Sequence, residues 1–451
     1  MKFRFAFAVA YQAITEDGVQ INSSQKIRIG IVGSGIAGLS AAWLLNRQGF
    51  EVTLFEKGPK SGFAAHSRDI AELIPQVDQE LMGDIPSRMF NETLWPSVAE
   101  LYREAGIEFE PVDQQQTFYN GDDVLLKVAL PYRVSSLLGD TLKPSFRRLI
   151  TSITRFQSTG QAALQSNELA DKTFGCFMDS LSDQQLPKEF VDGFLLPALT
   201  STVFTCPREE LLQFPAALVL EALNGITREA SPLMRTVHGS LDASNRLLLG
   251  IENVRFNAEV GEVLQQEDSA SIVVGGVSHL FDHVIVATQA NHASRLVEKS
   301  LPHEAGILRE FKYVDVPVVL HTDNSVLPSR RSDWGTFNFQ SRSESATCTV
   351  WMNRFHKQWP ETTDVFHSIF PKANIDPEKI LASVVMQRPV VDQETVSLHE
   401  QLDRFHDDDS RIWFSGSYAF PGVPLLESGV AASKKVVSRL VSRLSLRESS
   451  A

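Results

Sequence analysis

KIRIGIVGSGIAGLSAAWLLNRQGFEVTLFEKGPKSGFAAHS, Lys26 to Ser67, reads as a short apolar strand, a glycine turn, an amphipathic helix and a second strand that ends at an acid. Strand, GxGxxG turn, helix, strand and terminal acid in that order form a dinucleotide-binding unit. Gly33 permits the tight turn after the strand, Gly35 lets the backbone approach a pyrophosphate, and Gly38 lets the helix pack closely on the sheet. The helix, expected from about Ile36 to Arg47, aims free N–H groups and a partial positive charge at the phosphates. Glu56 is placed to accept hydrogen bonds from a ribose 2′-hydroxyl. Ser34, Ile36 and Ala37 fill out the turn, Lys57 follows the acid, and all four belong to the candidate nucleotide site. The unit does not choose between FAD and NAD, which share the adenosine diphosphate half.

At 451 residues the chain exceeds a usual single domain, so two lobes are expected. A formal net charge of −13 and the lack of any sustained Lys/Arg tract exclude a nucleic-acid partner, whose phosphates would be repelled. The three cysteines, Cys176, Cys206 and Cys348, are spaced too widely for a metal pattern or a disulfide framework. Reduced thiols of a cytoplasmic protein are the default, and no metal site is expected. No apolar run approaches the length of a transmembrane segment. The opening MKFRFAFAVAYQA is basic and then apolar, as in a signal peptide, but Tyr11 and Gln12 interrupt it. Residues 1–25 are therefore read as an N-terminal extension, with export left open.

Further along, IENVRFNAEVGEV (Ile251–Val263) reads as a strand, and FDHVIVATQA (Phe281–Ala290) as a parallel strand covered on both faces. RIWFSGSYAFPGVPLLESGVAASKKVVSRL (Arg411–Leu440) combines a strand, a small-residue turn, a proline loop and an amphipathic helix. A helix is expected from about Pro96 to Ala105, and two buried helical pieces flank Pro207 in the nearly uncharged stretch Phe194–Leu223. FKYVDVPVVLHTDNSVLPSRRSDWGTFNF (Phe311–Phe339) and TCTVWMNRF (Thr347–Phe355) alternate apolar and polar residues as antiparallel strands do.

With these segments, from about Ile27 to Leu440, the chain resembles the FAD-dependent amine oxidase superfamily. It is most similar to the flavoproteins associated with, or fused to, cyclopropane fatty acid synthases. That family carries a second glycine motif after the ribose-binding acid, LGGHTHT in those relatives and SGFAAHS here. Gly62 matches its first glycine, Phe63 replaces the second, and His66 and Ser67 match its end. NAD dehydrogenases normally lack this motif, so the resemblance implies FAD. It also implies a backbone contact from Val260 to the adenine, and Gly416 and Ser417 beside the diphosphate and ribityl chain. Gly429, Val430 and Ala431 are expected to begin a helix facing the pyrimidine side of the flavin, where its N-terminus stabilises negative charge. No cysteine lies near the closing motif, so FAD is expected to be noncovalent.

The fold implied is α/β. A discontinuous Rossmann-like FAD-binding domain (26–90, 231–299, 405–445) is joined to an α+β substrate domain containing an antiparallel sheet (91–230, 300–404). The function implied is an FAD-dependent oxidoreductase accepting a hydride from a C–N or C–C bond of a small amine or lipid-like substrate. A flavin-dependent isomerase or desaturase of a lipid or secondary metabolite, and a non-catalytic flavin-binding partner, stand as alternatives. His66 and Arg88 are the polar candidates nearest the flavin by resemblance. His66 is otherwise a surface loop histidine. Arg88 either holds a substrate carboxylate, contacts the cofactor, or is a solvated arginine. The relatives share LHTD (Leu320–Asp323), the pair Arg330 and Arg331, and WMNR (Trp351–Arg354), in which His321 and Asn353 are read as structural. Many amine oxidases place a lysine here that positions a water at the flavin; none occurs between Tyr313 and Asp333. The partner expected is a small-molecule substrate, and the oligomeric state is not legible.

Overall fold

The computed structural model describes residues 26–74, 81–129, 144–166, 168–181, 186–228, 231–341, 346–359, 362–371, 374–407 and 410–448. The extension expected at 1–25 lies outside them.

A five-stranded sheet, every pairing parallel, runs in the order Asn253–Arg255, Glu51–Phe55, Arg28–Val32, His283–Val286, Ile412–Phe414. Alternate residues of its strands serve two different cores. Ile29, Ile31, Ile285 and Trp413 pack with Ala37, Ala41 and Leu45 of helix Ile36–Arg47 and Val436 and Leu440 of helix Leu426–Glu448. Val32, Val284, Val286, Ile412 and Phe414 pack with Val263, Ile272 and Phe281 of an antiparallel meander, Val260–Gln265, Ala270–Val274 and Val277–Phe281. Burial on both faces is why these strands read as unbroken apolar runs. The meander lies so close that a Cβ at Gly30 would stand 2.6 Å from the Ile272 side chain.

The segment expected as one strand at Ile251–Val263 is two. Asn253–Arg255 closes the parallel sheet, Val260–Gln265 opens the meander, and Asn257, with φ of 52°, turns the chain between them. Asparagine tolerates that left-handed conformation better than most residues.

A second, seven-stranded sheet has the order Ile380–Pro389, Tyr313–His321, Phe366–Ile369, Thr347–Trp351, Phe337–Gln340, Gln115–Asn120, Asp123–Ala129. All its pairings are antiparallel except Phe337–Gln340 with Gln115–Asn120. The main hydrophobic core joins this sheet to helices Pro144–Gln165, Phe174–Asp179, Arg208–Gln213 and Ala216–Arg228. Within it Phe118 stacks on Phe339 with ring centroids 4.6 Å apart. The expected pair of helical pieces around Pro207 is more broken than the composition suggested: a helical run containing two π segments, Val191–Leu195 and Leu199–Val203, precedes Pro207.

Packing moves some stretches from the expected substrate side to the nucleotide side. Val98 and Leu101 of helix Pro96–Glu104 share a core with Leu39 and Val430. Ala305 and Leu308 of helix Pro302–Arg309 and Leu398 and Leu402 of helix Thr395–Asp407 join the meander core. Helix Pro96–Glu104 has no side-chain cap of its own. The buried Glu427, from the closing helix, accepts hydrogen bonds from the N–H groups of Ser97 (3.1 Å) and Val98 (3.0 Å) instead. Glu427→Ala orphans both donors; a loss of about 1–2 kcal/mol in urea unfolding is expected.

His321 and Asn353 take structural positions. The buried His321 bonds Ser368 Oγ through Nε2 (2.9 Å) and accepts from the Asp323 N–H through Nδ1 (3.2 Å). Asn353 donates to Thr363 O (2.9 Å) and accepts from Val365 N–H (2.9 Å). Burial holds His321 down to about 4, and His367 and His406 to about 3, so all three fold neutral. A histidine whose folded pKa is lowered takes up its proton first in the unfolded chain. Stability is therefore expected to fall as pH drops from about 6.5 towards 4. His367 has no partner for either ring nitrogen among the described residues. His367→Leu should leave stability at pH 7.5 nearly unchanged and recover roughly 2 kcal/mol of the loss at pH 4.5, read by urea unfolding at both values.

Candidate functional site

The site is built on the turn between the first strand and helix Ile36–Arg47. Gly33 has φ of 95° and donates to Phe55 O at 2.8 Å, which brings the turn over the second strand. A Cβ on Gly38 would stand 1.9 Å from Gly33 O, so only glycine lets the helix start this close. At Gly35 the opposite holds: a Cβ there would meet no protein atom within 4 Å. Gly35 is also the N-cap, with no side-chain hydrogen bond and no acid in the first helical turn. The positive end of this helix therefore faces open space, as an anion site requires.

Glu56 is buried directly after the second strand and reaches back to the turn. Its Oε2 accepts from Ser34 N–H (3.0 Å) and Ser34 Oγ (2.6 Å), and its Oε1 from Gly58 N–H (2.9 Å). Ser34 also joins the two glycine stretches. Its Oγ accepts from Gly62 N–H (2.8 Å) and its carbonyl from Phe63 N–H (2.9 Å). A Cβ on Gly62 would come within 3.0 Å of Glu56 Oε2. Phe63, standing where relatives have glycine, buries its ring in the core that contains Leu39, Trp43 and Val98, away from the open face. Lys57 is exposed.

The rest of the second stretch is held by Asp84. Its Oδ1 accepts from Ser67 Oγ (2.5 Å), and its Oδ2 from the N–H (2.9 Å) and Oγ (2.8 Å) of Ser240, in the first turn of helix Gly239–Leu248. His66 is partly buried beside Ser67. Burial lowers its pKa, and the neighbouring Arg68, Arg88 and Lys60 charges lower it further. Arg88 donates through Nη2 to Phe63 O (2.7 Å) and lies over the Phe63 ring at 4.3 Å. Val260 is the partly buried first residue of the meander.

The C-terminal motif closes on the same turn. Gly416 is extended at φ 165°, and Ser417 follows it into a short 3-10 turn. The helix starts at Leu426, so Gly429, Val430 and Ala431 lie in its first two turns and not at its beginning. A Cβ on Gly429 would stand 3.0 Å from Ile36 Cγ2, so this glycine sets the approach of the two helices. Val430 is fully buried and presents only backbone to any ligand. Ser433 Oγ, donating to Ala37 O (2.7 Å) and bonding Ser415 Oγ (2.9 Å), fastens the helix to both motifs. Ser34, Ser433 and Asp84 escaped sequence reasoning as organisers, because a serine between glycines or a loop aspartate has no distinguishing pattern. The lysine nearest the expected water-positioning place, Lys312, precedes strand Tyr313–His321 and pairs with Asp392 (2.6 Å) at the surface.

Residues 31–105 match the family model of the NAD(P)-binding Rossmann-like domain. No curated protein matches the chain in sequence. Over about nine-tenths of its length the chain has the fold of the flavin amine oxidases. Cyclohexylamine oxidase from Brevibacterium oxydans superposes with a TM-score of 0.65 at 14% identity, covering 93% of this chain and 100% of that one. Putrescine oxidase bound to putrescine gives 0.61 at 14%, covering 93% and 99%. The CLA-producing fatty acid isomerase from P. acnes gives 0.62 at 12%, covering 92% and 99%. At these identities the likeness is one of fold.

The two glycines separate packing from binding. Gly38→Ala collides with a backbone carbonyl; a loss of about 3 kcal/mol or more, or insoluble protein, is expected. Gly35→Ala touches nothing, and its thermal melt without ligand should match wild type within about 2 °C.

Proposed function

We propose that the chain is an FAD-dependent oxidoreductase of the amine oxidase superfamily that holds FAD noncovalently and accepts a hydride from a small substrate. The observation that carries this reading is the open Gly35 face under an uncapped helix end, beside the buried carboxylate of Glu56. A diphosphate fits that geometry: no Cβ obstructs it, free N–H groups point at it, and an acid stands at ribose distance from the turn. FAD, when bound, supplies the hydride acceptor.

The residues of the chain supply binding, orientation and charge. Gly33, Ser34, Gly35, Ile36, Ala37 and Gly38 receive the diphosphate, and Glu56 and Lys57 lie on the ribose side. Gly62, His66 and Ser67 extend the cradle, and Val260 offers its backbone to the adenine. Gly416 and Ser417 serve the ribityl side. The first turns of helix Leu426–Glu448, with Gly429, Val430 and Ala431, place positive helix charge where the reduced cofactor becomes negative. Arg88, anchored on Phe63, is the polar group at the substrate face.

The bond attacked is C–N in an amine or C–C in a lipid-like molecule. The absence of a lysine within strand Tyr313–His321 favours the second, as does the resemblance to flavoproteins linked with cyclopropane fatty acid synthases. An isomerase that borrows and returns a hydride is supported by the fold shared with a fatty acid isomerase. The purified protein should show the absorbance of oxidised flavin and release FAD on denaturation, while Gly35→Ala should be folded and colourless. A wild-type protein that neither carries nor takes up FAD overturns the proposal. Product well beyond one equivalent per flavin under anaerobic conditions with no added acceptor assigns isomerisation; product limited to one equivalent until an acceptor is added assigns oxidation.

A further inference from the structure

One carboxylate grips the second glycine stretch and a helix of the nucleotide side at the same time. Asp84 accepts from Ser67 Oγ with Oδ1 (2.5 Å), and from the N–H (2.9 Å) and Oγ (2.8 Å) of Ser240 with Oδ2. The other end of the stretch meets the same helix, Gly239–Leu248: Ser61 Oγ lies 3.0 Å from Ser244 Oγ, which donates to Ser240 O (2.7 Å). Ser240 and Ser244 are one helical turn apart and share a face. Ser61 and Ser67, the two ends of the stretch, are therefore both fastened to a single turn of one helix. All five side chains are buried.

Between those ends the backbone curls on itself. The N–H groups of Ala64, Ala65 and Ser67 donate to the carbonyls of Ser61 (3.0 Å), Gly62 (3.3 Å) and Ala64 (3.0 Å), and Lys60 Nζ donates to Ser67 O (2.7 Å). The curl lies against the open helix end, since a Cβ on Gly62 would stand 3.4 Å from the Gly35 nitrogen. None of these bonds needs a ligand. A loop that already has its bound shape spares an incoming ligand the entropy of ordering it. His238, the N-cap of helix Gly239–Leu248, makes no side-chain cap, so Asp84 serves as one from outside. Capping alone uses Oδ2; Oδ1 is spent on the glycine stretch. The Asp84 charge also supports that of Arg88, which donates to the Phe63 carbonyl inside the curl (2.7 Å).

We propose that Asp84 is a positioning residue that preforms the second glycine stretch for a dinucleotide, acting through Ser67 and through helix Gly239–Leu248. The identity of the ligand rests on the flavin reading above, and the preformed shape does not. The test is hydrogen–deuterium exchange of the full-length protein freed of flavin, read on peptides covering residues 61–69, beside titration of the same protein with FAD. Wild type should exchange slowly there before any FAD is added. Asp84→Ala should speed exchange in that stretch about tenfold or more, leave the strands Arg28–Val32 and His283–Val286 unchanged, and weaken FAD about tenfold or more. Asp84→Asn should restore both, because its amide can donate to Ser67 Oγ while its oxygen still accepts from Ser240. Ser67→Ala, which keeps the cap on Ser240, should loosen the same stretch and stands in if Asp84→Ala fails to fold. Slow exchange in Asp84→Ala, exchange raised equally in the parallel strands, full FAD affinity despite a loosened stretch, or no recovery in Asp84→Asn overturns the proposal. A wild type that takes up no FAD, yet whose stretch loosens only when Asp84 is lost, upholds the positioning role and fails only the flavoenzyme reading.

Discussion

The contact between Gly38 and the Gly33 carbonyl is the constraint on which the rest of the molecule depends. With no room for even one carbon at Gly38, helix Ile36–Arg47 begins immediately over the carboxyl ends of the parallel strands. Every other part of the site is registered to that helix. Ser34 draws in the second glycine stretch, Gly429 meets Ile36, and Ser433 bonds the Ala37 carbonyl. These links join residues up to 396 positions apart in sequence, so the nucleotide side of the molecule closes only when the last helix docks.

Buried carboxylates repeat one device around this framework. Glu56 accepts from Ser34, Asp84 from Ser240, and Glu427 from Ser97 and Val98. In the last two cases the acid satisfies the first turn of a helix from a distant segment, which caps the helix and pins its position at once. The N-terminus at Gly35 receives no such acid. With no acid in its first turn and open space at Gly35, the positive end of this helix is free to face a ligand, and Arg68, Arg88 and Lys60 add positive charge around His66 in the second glycine stretch.

Much of the framework was legible. The helix at Ile36–Arg47 follows from its glycines and apolar spacing, and the strands at Arg28, Glu51, His283 and Ile412 follow from apolar runs that only burial on both faces explains. What failed to show is non-local. The break at Asn257 turns one apparent strand into two, because a left-handed asparagine looks like any other. Helices Pro96–Glu104, Pro302–Arg309 and Thr395–Asp407 pack with the nucleotide side although their sequences are ordinary amphipathic patterns, which say that a face is buried but not against what.

The sequence by itself determined a glycine turn that admits a pyrophosphate, a helix to face it and an acid to follow it, since these demands fall on single residues at short spacing. Tertiary structure decided how the glycine turn meets the second glycine stretch and the closing helix, and which carboxylates are spent on capping. Those outcomes depend on which distant groups meet once the sheets close. A hydrogen-bond donor or a charge is satisfied or orphaned only by what packs against it, and chain order carries no record of that.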